Sequence, residues 1–292
     1  MKRITSITLM QKTALSLRAA GSKIGFTPTM GYLHEGHLSL VRKSRKECPV
    51  TIASIFVNPA QFAPNEDFAR YPRDMKRDLT LLRDLGTDFV FTPDCTVMYP
   101  EPFLTSVSVS DMTEIGEGEA RPSHFRGVTT VVAKLINIVQ PDILYLGQKD
   151  AQQAVVIRKM VRDLDMPVRV RICPTVREKD GLAMSSRNFY LSPKERAAAL
   201  ALITALRAAE ALIKRGVERC DEVIDTMNSV YRQFPDAHPD YILCVDSTTY
   251  RPVEQIVSNT IIATAARVGT THLIDNIVVS PPCSENVSFF RL

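Results

Sequence analysis

Two histidines three residues apart, directly after an apolar run and a glycine, carry the sharpest chemical signal in the chain. The segment reads Thr27-Pro28-Thr29-Met30-Gly31-Tyr32-Leu33-His34-Glu35-Gly36-His37. Gly31 lets the chain reverse tightly and lets backbone approach a ligand. A helix beginning here carries both imidazoles on one face, and its unpaired N–H groups attract anions. Two imidazole donors beside such a terminus suit the α-phosphate of a nucleotide, where negative charge builds on the oxygens during attack. The same spacing also serves a pair of surface or capping histidines. Zinc fits poorly, because His124, His238 and His272 are distant in sequence and no Cys-x-x-Cys pair exists.

Three further segments offer polar groups. Asn58-Pro59-Ala60-Gln61-Phe62 ends a β-rich run, and its amides can bond hydroxyl or carboxylate groups without adding charge. Gly147-Gln148-Lys149-Asp150-Ala151-Gln152-Gln153 ends another such run and opens a helical stretch. There Lys149 can meet phosphate as a point charge, and Gln153 projects from the first turn. Met184-Ser185-Ser186-Arg187-Asn188 follows Arg177-Glu178-Lys179-Asp180-Gly181 and offers two hydroxyls and a bidentate guanidinium. Each segment alone also reads as an ordinary turn or solvated linker. Together they bring donors for phosphate and for a small polar acid. A Gly-x-x-x-x-Gly-Lys-Ser/Thr loop is missing, which argues against a P-loop NTPase.

The elements that must hold these segments alternate. Residues 23–28, 50–57, 88–92, 143–146 and 168–174 read as strands, with helical patterns at 34–46, 74–85, 128–139 and 151–164 between them. Strand, helix, strand in succession predicts an α/β fold, a Rossmann-like parallel sheet with helices on both faces. In such sheets ligands bind beyond the carboxyl ends of the strands, where the polar segments fall. After Arg177 the character changes. Ser192 caps a long alanine- and leucine-rich helix with Pro193 in its first turn, Glu195 completes a capping box, and Gly216 closes it. A helix at 221–233 and strands at 241–245, 260–268 and 274–279 follow. The expectation is two domains, 1–176 for nucleotide and substrate and a smaller α+β C-terminal domain at 177–292 that serves as a lid.

Composition sets the outer bounds. The chain has 292 residues, 45% hydrophobic and 23% charged, with a formal charge of +4 spread without long like-charged runs. That pattern demands neither nucleic acid nor an acidic membrane as a partner. The longest uncharged stretch, 48–65, is broken by prolines and amides and does not read as a membrane span. Gln11-Lys12 and nearby threonines interrupt any signal-like apolar core at the start of the chain. The six cysteines lie at 48, 95, 173, 220, 244 and 283, too scattered for a zinc site or a disulfide framework, so reduced thiols and a cytoplasmic protein are expected.

The segments above, with Arg121-Pro122-Ser123-His124-Phe125-Arg126-Gly127-Val128, closely resemble the pantoate–β-alanine ligase (pantothenate synthetase) family, a branch of the His-x-Gly-His nucleotidyltransferases, along nearly the whole length. Single His-x-Gly-His motifs are shared widely, but these five segments in this order are highly specific. The resemblance implies that pantoate carboxylate attacks the α-phosphate of ATP, and that the β-alanine amine then displaces AMP to give pantothenate. It implies that Met30 to His37, Gly147, Gln148, Lys149, Asp150, Val176 and Met184 to Arg187 line the ATP site. Gln61, Gln153 and Asn58 would bind pantoate, with Gln61 also near β-alanine. His34, His37, Lys149, Ser185, Ser186 and Arg187 form the implied catalytic set, His37 being the proton donor. Magnesium accompanies the triphosphate, its protein ligands unassigned, and a homodimer in the cytoplasm is implied as well.

One departure is His272, which stands before Leu273-Ile274-Asp275-Asn276 where arginine is expected in the family. It bears on local packing or closure of the C-terminal part. The nearest rival reading is another adenylyltransferase of the same superfamily acting on a phosphorylated substrate. That enzyme has no need of the Asn58, Gln61 and Gln153 amides and wants an extra cationic pocket. A non-catalytic nucleic-acid-binding module would show a clustered basic face with interleaved aromatics. Tryptophan is absent and no such cluster is visible.

Overall fold

The computed structural model describes residues 1–64 and 66–281, so Cys283 lies outside the described residues. Two compact units form: Met1–Gly147 with Val156–Cys173, and Gln148–Val155 with the described residues from Pro174 to Pro281. In chain order the first part runs β1 (Lys2–Ile4), α1 (Ile7–Ala19), β2 (Ile24–Thr29), α2 (Glu35–Glu47), β3 (Val50–Ile55), α3 (Met75–Asp84) and β4 (Phe89–Phe91). The short helices α4 (Cys95–Met98) and α5 (Glu117–Ala120) follow, then α6 (His124–Val139), β5 (Ile143–Gly147), α7 (Ala151–Asp163) and β6 (Arg169–Cys173). The six strands make one parallel sheet in the order β1-β4-β3-β2-β5-β6, flanked by helices. Its central strand β2 is buried at nearly every position, as expected of a parallel strand covered on both faces. Strand order reverses between β2 and β5, so the loop after β2 leaves from a topological switch point.

Helix α2 must press closely onto β2 for that loop to be held. Gly25 in β2 and Ser44 in α2 permit it: a Cβ on Gly25 would lie 2.2 Å from the Ser44 hydroxyl oxygen and 3.1 Å from Cys48 Sγ. The buried Ser44 hydroxyl is bonded to Thr51 Oγ1 of β3 at 2.8 Å, so it does not yield freely. On the far side of the loop, Leu33, Leu38, Val41, Ala53, Ile55, Leu82 and Val90 pack α2 and α3 against β3 and β4.

The second unit places α8 (Pro193–Lys214) and α9 (Cys220–Tyr231) against an antiparallel sheet of β7 (Ala237–Asp246), β8 (Thr260–Val268) and β9 (Thr271–Val279) in that order. Ser192 and Glu195 form the expected capping box on α8, and Gly216, at φ 99°, follows its end. His272, on β9, is bonded through Nδ1 to the Asp240 carboxylate of β7 at 2.8 Å, so the residue that departs from the family pattern is tied across the sheet.

The structure differs from the sequence reading mainly at the ends of elements. β1 and α1 have no counterpart in it: a three-residue strand is too short to show alternation, and α1 buries only Met10 and Ala14. Helix α6 begins at His124, four residues before the apolar periodicity starts at Val128. The five described cysteines are free thiols, and no described helix is long and apolar enough to cross a membrane.

Gly25→Ala is expected to displace the Ser44 hydroxyl and cost about 1–3 kcal/mol, as overpacking a tight core does. Thermal unfolding checks this; an unchanged midpoint would show that α2 has room to spare over β2.

Candidate active site

The β2 exit loop is a built turn. Gly31 and Tyr32 sit in succession at φ 87° and 50°, a left-handed pair that reverses the chain before α2. A Cβ on Gly31 would lie 3.0 Å from Ile55 Cγ2 and 3.1 Å from Asp78 Oδ2, so glycine is required on two counts. Asp78 of α3, 1% exposed, accepts the Tyr32 and Leu33 N–H groups at 2.7 and 2.8 Å. Its neighbour Arg77 donates to the Leu33 carbonyl at 2.9 Å and lies over the Tyr32 ring. Burial pushes the Asp78 carboxyl above the usual aspartate range, against the two backbone donors, which pull it down. Leu33 itself is buried in the core beneath the loop.

That turn delivers His34 as N-cap of α2 and His37 three residues on. The two side chains cap the helix reciprocally. His34 Nδ1 accepts from Gly36 N at 3.2 Å, and His37 Nδ1 accepts from His34 N at 3.4 Å. The rings stand 4.1 Å apart between centroids. A ring nitrogen that accepts an N–H holds a lone pair, so each neutral imidazole carries its proton on Nε2. Both rings are thereby fixed as Nε2–H donors at a helix N-terminus. Glu35, in the first turn, is bound by both terminal nitrogens of Arg42, which with the Arg42 charge holds its carboxyl below the usual range.

The amide segment forms a single 3-10 turn, Pro59–Gln61, capped by Asn58. Asn58 is 1% exposed and fully engaged. Its Oδ1 accepts from Tyr99 OH at 2.8 Å and Ala60 N at 3.3 Å, and its Nδ2 donates to the Gly127 carbonyl at 3.1 Å and Gln61 Oε1 at 3.2 Å. Burial pushes the Tyr99 hydroxyl upward, keeping it a protonated donor. The carboxamide of Gln61 is therefore oriented: Oε1 faces Asn58, and Nε2 donates to Met30 Sδ at 3.0 Å. A thioether is a weak acceptor, readily exchanged for a substrate oxygen. Met30, Gly31, Tyr32, His34, Gly36, His37, Asn58 and Gln61 are thus held within one unit by the loops after β2 and β3.

Gly147 ends β5 in the first unit; Gln148, Lys149 and Asp150 form a 3-10 turn in the second. Asn276 of β9 holds that turn, its Nδ2 donating to the Gln148 and Lys149 carbonyls, both at 2.9 Å. Lys149 Nζ lies 2.9 Å from Asp150 Oδ1. Gln153 is half-buried, the third residue of α7. Asp275, beside Asn276, takes both terminal nitrogens of Arg177 at 2.6 and 3.0 Å. Burial pushes its carboxyl up against that fork, which pulls it down. Arg177 in turn donates to the Gly181 carbonyl at 3.1 Å. Met184 N donates to the Val176 carbonyl at 3.0 Å, and Ser185 Oγ accepts from Arg187 N at 3.2 Å, opening the Ser186–Tyr190 turn. Met184, Ser185, Ser186 and Arg187 therefore occupy a braced loop rather than a loose linker.

Sequence reasoning missed the supports: Arg77, Asp78, Tyr99 and Asn276. Only Asp275-Asn276 left a trace, as a polar pair inside an apolar strand pattern. Among the described residues no group of three or more His, Cys, Asp or Glu side chains could hold a metal.

A parallel sheet whose switch-point loop presents two capped histidines at a helix N-terminus defines a nucleotide-binding α/β enzyme. The family model described as pantoate-beta-alanine ligase matches residues 2–278. The pantothenate synthetase of Moorella thermoacetica is 50% identical over 279 residues, covering 96% of this chain and 99% of that one. The crystal structure of pantothenate synthetase from Thermus thermophilus superposes with a TM-score of 0.90 at 45% identity, covering 96% of this chain and 100% of that one. The pantoate-beta-alanine ligase of Francisella tularensis, solved with beta-gamma ATP and beta-alanine, gives a TM-score of 0.77 at 34% identity, covering 95% and 97%. The chain belongs to the pantoate–β-alanine ligase family and is an enzyme of that class.

Asp78→Asn keeps the volume but turns an amide N–H toward one of the two main-chain donors. Turnover is expected to fall by about tenfold or more while the fold persists, because a hydrogen bond to a buried charge is lost. Steady-state kinetics with circular dichroism checks this; normal turnover in the folded variant would uncouple the clamp from the chemistry.

Proposed function

We propose that the two capped histidines perform the adenylation half of the family's reaction, and that this is carried by one observation, the use of both Nδ1 atoms by the helix cap. Pantoate carboxylate oxygen attacks the α-phosphorus of ATP, the bond from that phosphorus to the bridging oxygen breaks, and pyrophosphate leaves. Negative charge grows on the α-phosphate oxygens, and the Nε2–H groups of His34 and His37 are donors of the type that stabilises it. His37 takes the donor's place in this step by giving its Nε2–H as a hydrogen bond to the developing charge, the ring keeping its proton. The product, pantoyl adenylate, is an activated acid. The β-alanine amine then attacks its acyl carbon, the carbon–oxygen bond to AMP breaks, and the amine releases one proton as pantothenate forms. No covalent enzyme intermediate is required.

In this reading Met30 to His37 bind ATP from the first unit. Gly147 to Asp150, Val176 and Met184 to Arg187 also bind ATP, with Lys149, Ser185, Ser186 and Arg187 acting on its phosphates through charge and fork geometry. Gln61 and Gln153 bind pantoate and Gln61 also meets β-alanine; Asn58, expected beside them as a third pantoate ligand, has both amide atoms engaged within the protein and orients Gln61 instead. Amide recognition rejects acids lacking pantoate's hydroxyls by leaving buried donors unpaired. Magnesium enters with the triphosphate. Such an ion is held largely by phosphates and water, which suits a chain whose described residues form no carboxylate cage. The division of labour is between residues 1–176 and a C-terminal lid at 177–292, in a cytoplasmic homodimer, an assignment supported by the family resemblance.

Pyrophosphate release from ATP tests the reading. Release that depends on pantoate, rising to steady turnover with AMP when β-alanine is added, is expected. Release only with a phosphorylated acceptor would instead make the protein the rival adenylyltransferase. His37→Ala is expected to lower turnover by ~100-fold or more in a folded protein, as loss of a transition-state donor does. Near-normal turnover would remove His37 from the mechanism.

A further inference from the structure

The segment Arg121 to Gly127 carries part of the family resemblance yet takes no part in the reaction derived above. It forms the entry to α6 and packs against the Pro59–Gln61 turn. His124, 9% exposed, has Nδ1 2.9 Å from the Gln61 carbonyl oxygen. A carbonyl oxygen only accepts, so Nδ1 carries the proton and Nε2 is the acceptor. Arg121 completes the arrangement: its Nη1 lies 3.4 Å from His124 Nε2, and its Nη2 donates to the same Gln61 carbonyl at 3.2 Å. The Glu66 carboxylate fixes the guanidinium, taking Nε at 2.7 Å and Nη2 as well.

Burial and the Arg121 charge push the His124 imidazole down to about 4, so the ring stays neutral and its single proton stays aimed at Gln61. Gly127 closes the contact. A Cβ there would lie 2.1 Å from the Ala60 carbonyl oxygen and 2.6 Å from Gln61 N, so no side chain fits between α6 and the turn. Its own carbonyl is the acceptor that Asn58 uses.

We propose that His124 and Arg121 are positioning residues for pantoate: they pin the Gln61 main chain and so aim its carboxamide at the substrate. The proposal rests on the reading of Gln61 as a pantoate ligand. Its geometric basis is that two donors from one helix entry converge on the carbonyl of the residue whose side chain Asn58 orients.

A double-mutant cycle on pantoate KM, with kcat and ATP KM measured alongside, tests it. His124→Gln removes the Nδ1 donor and is expected to raise pantoate KM about tenfold, the scale of one lost hydrogen bond, with ATP KM moved less than about twofold. His124→Asn places an amide N–H where Nδ1–H stood and is expected to recover most of the loss. In a Gln61→Ala background, His124→Gln should add nothing further. An equal effect of His124→Gln in both backgrounds, or no recovery with His124→Asn, would overturn the proposal. A Gln61→Ala enzyme with normal KM for pantoate would overturn the underlying reading of Gln61 instead. Should His124→Gln fail to fold, Arg121→Lys enters the same cycle, since lysine cannot reproduce the forked contact to Glu66 and Gln61.

Discussion

Asp78 accepts the main-chain N–H groups of Tyr32 and Leu33 from a fully buried position, and the reacting end of the first unit depends on that pair of bonds. The Gly31-Tyr32 reversal places a non-glycine residue in the left-handed region, which carries a cost of order 1 kcal/mol. Two charge-assisted bonds offset it and leave the chain one geometry in which to enter α2. Because the reversal is fixed, His34 arrives as N-cap and His37 at the third helical position, where each ring can cap the other's backbone. The tautomers follow from the caps. A loop free to wander would lose the caps, and with them the direction of both Nε2 protons.

The same device recurs at three other candidate ligand-binding segments. Asn58 holds Gln61, Asn276 holds the Gln148–Lys149 turn, and Asp275 with Arg177 braces the loop that leads to Met184. In each case a buried polar side chain satisfies or orients neighbouring groups, so the residue assigned to substrate starts from a fixed place. Buried networks of this kind are stabilising only when complete, and for Asn58 each of the two amide atoms has a partner. Preorganised donors cost little reorganisation when charge develops, which is how a set of imidazole and amide donors can serve phosphoryl chemistry.

How much of this could be read from the sequence depends on distance along the chain. The parallel sheet, the capping box on α8 and the loops carrying His34, Gln61, Lys149 and Ser185 were legible, because each is written in local spacing: an apolar run, a glycine, then polar groups. The supports were not. Asp78 lies 45 or more residues from the loop it clamps, and an aspartate inside the helical pattern at 74–85 looks like any solvated residue. Arg121 and His124 mark the segment by resemblance, but nothing in their spacing says that they meet the Gln61 carbonyl. Edge elements such as β1 were invisible for a different reason: three residues cannot display a period.

Both histidines of the β2 exit loop present Nε2–H donors because their Nδ1 atoms cap α2. Nitrogen-15 NMR of histidine-labelled protein, with His34 and His37 assigned by single substitution, reads the tautomer of each ring directly. In the neutral form both rings are expected to carry their proton on Nε2 and to show an unprotonated Nδ1. A proton on Nδ1 of either ring would contradict it, since that ring could not then accept the backbone N–H that fixes its direction.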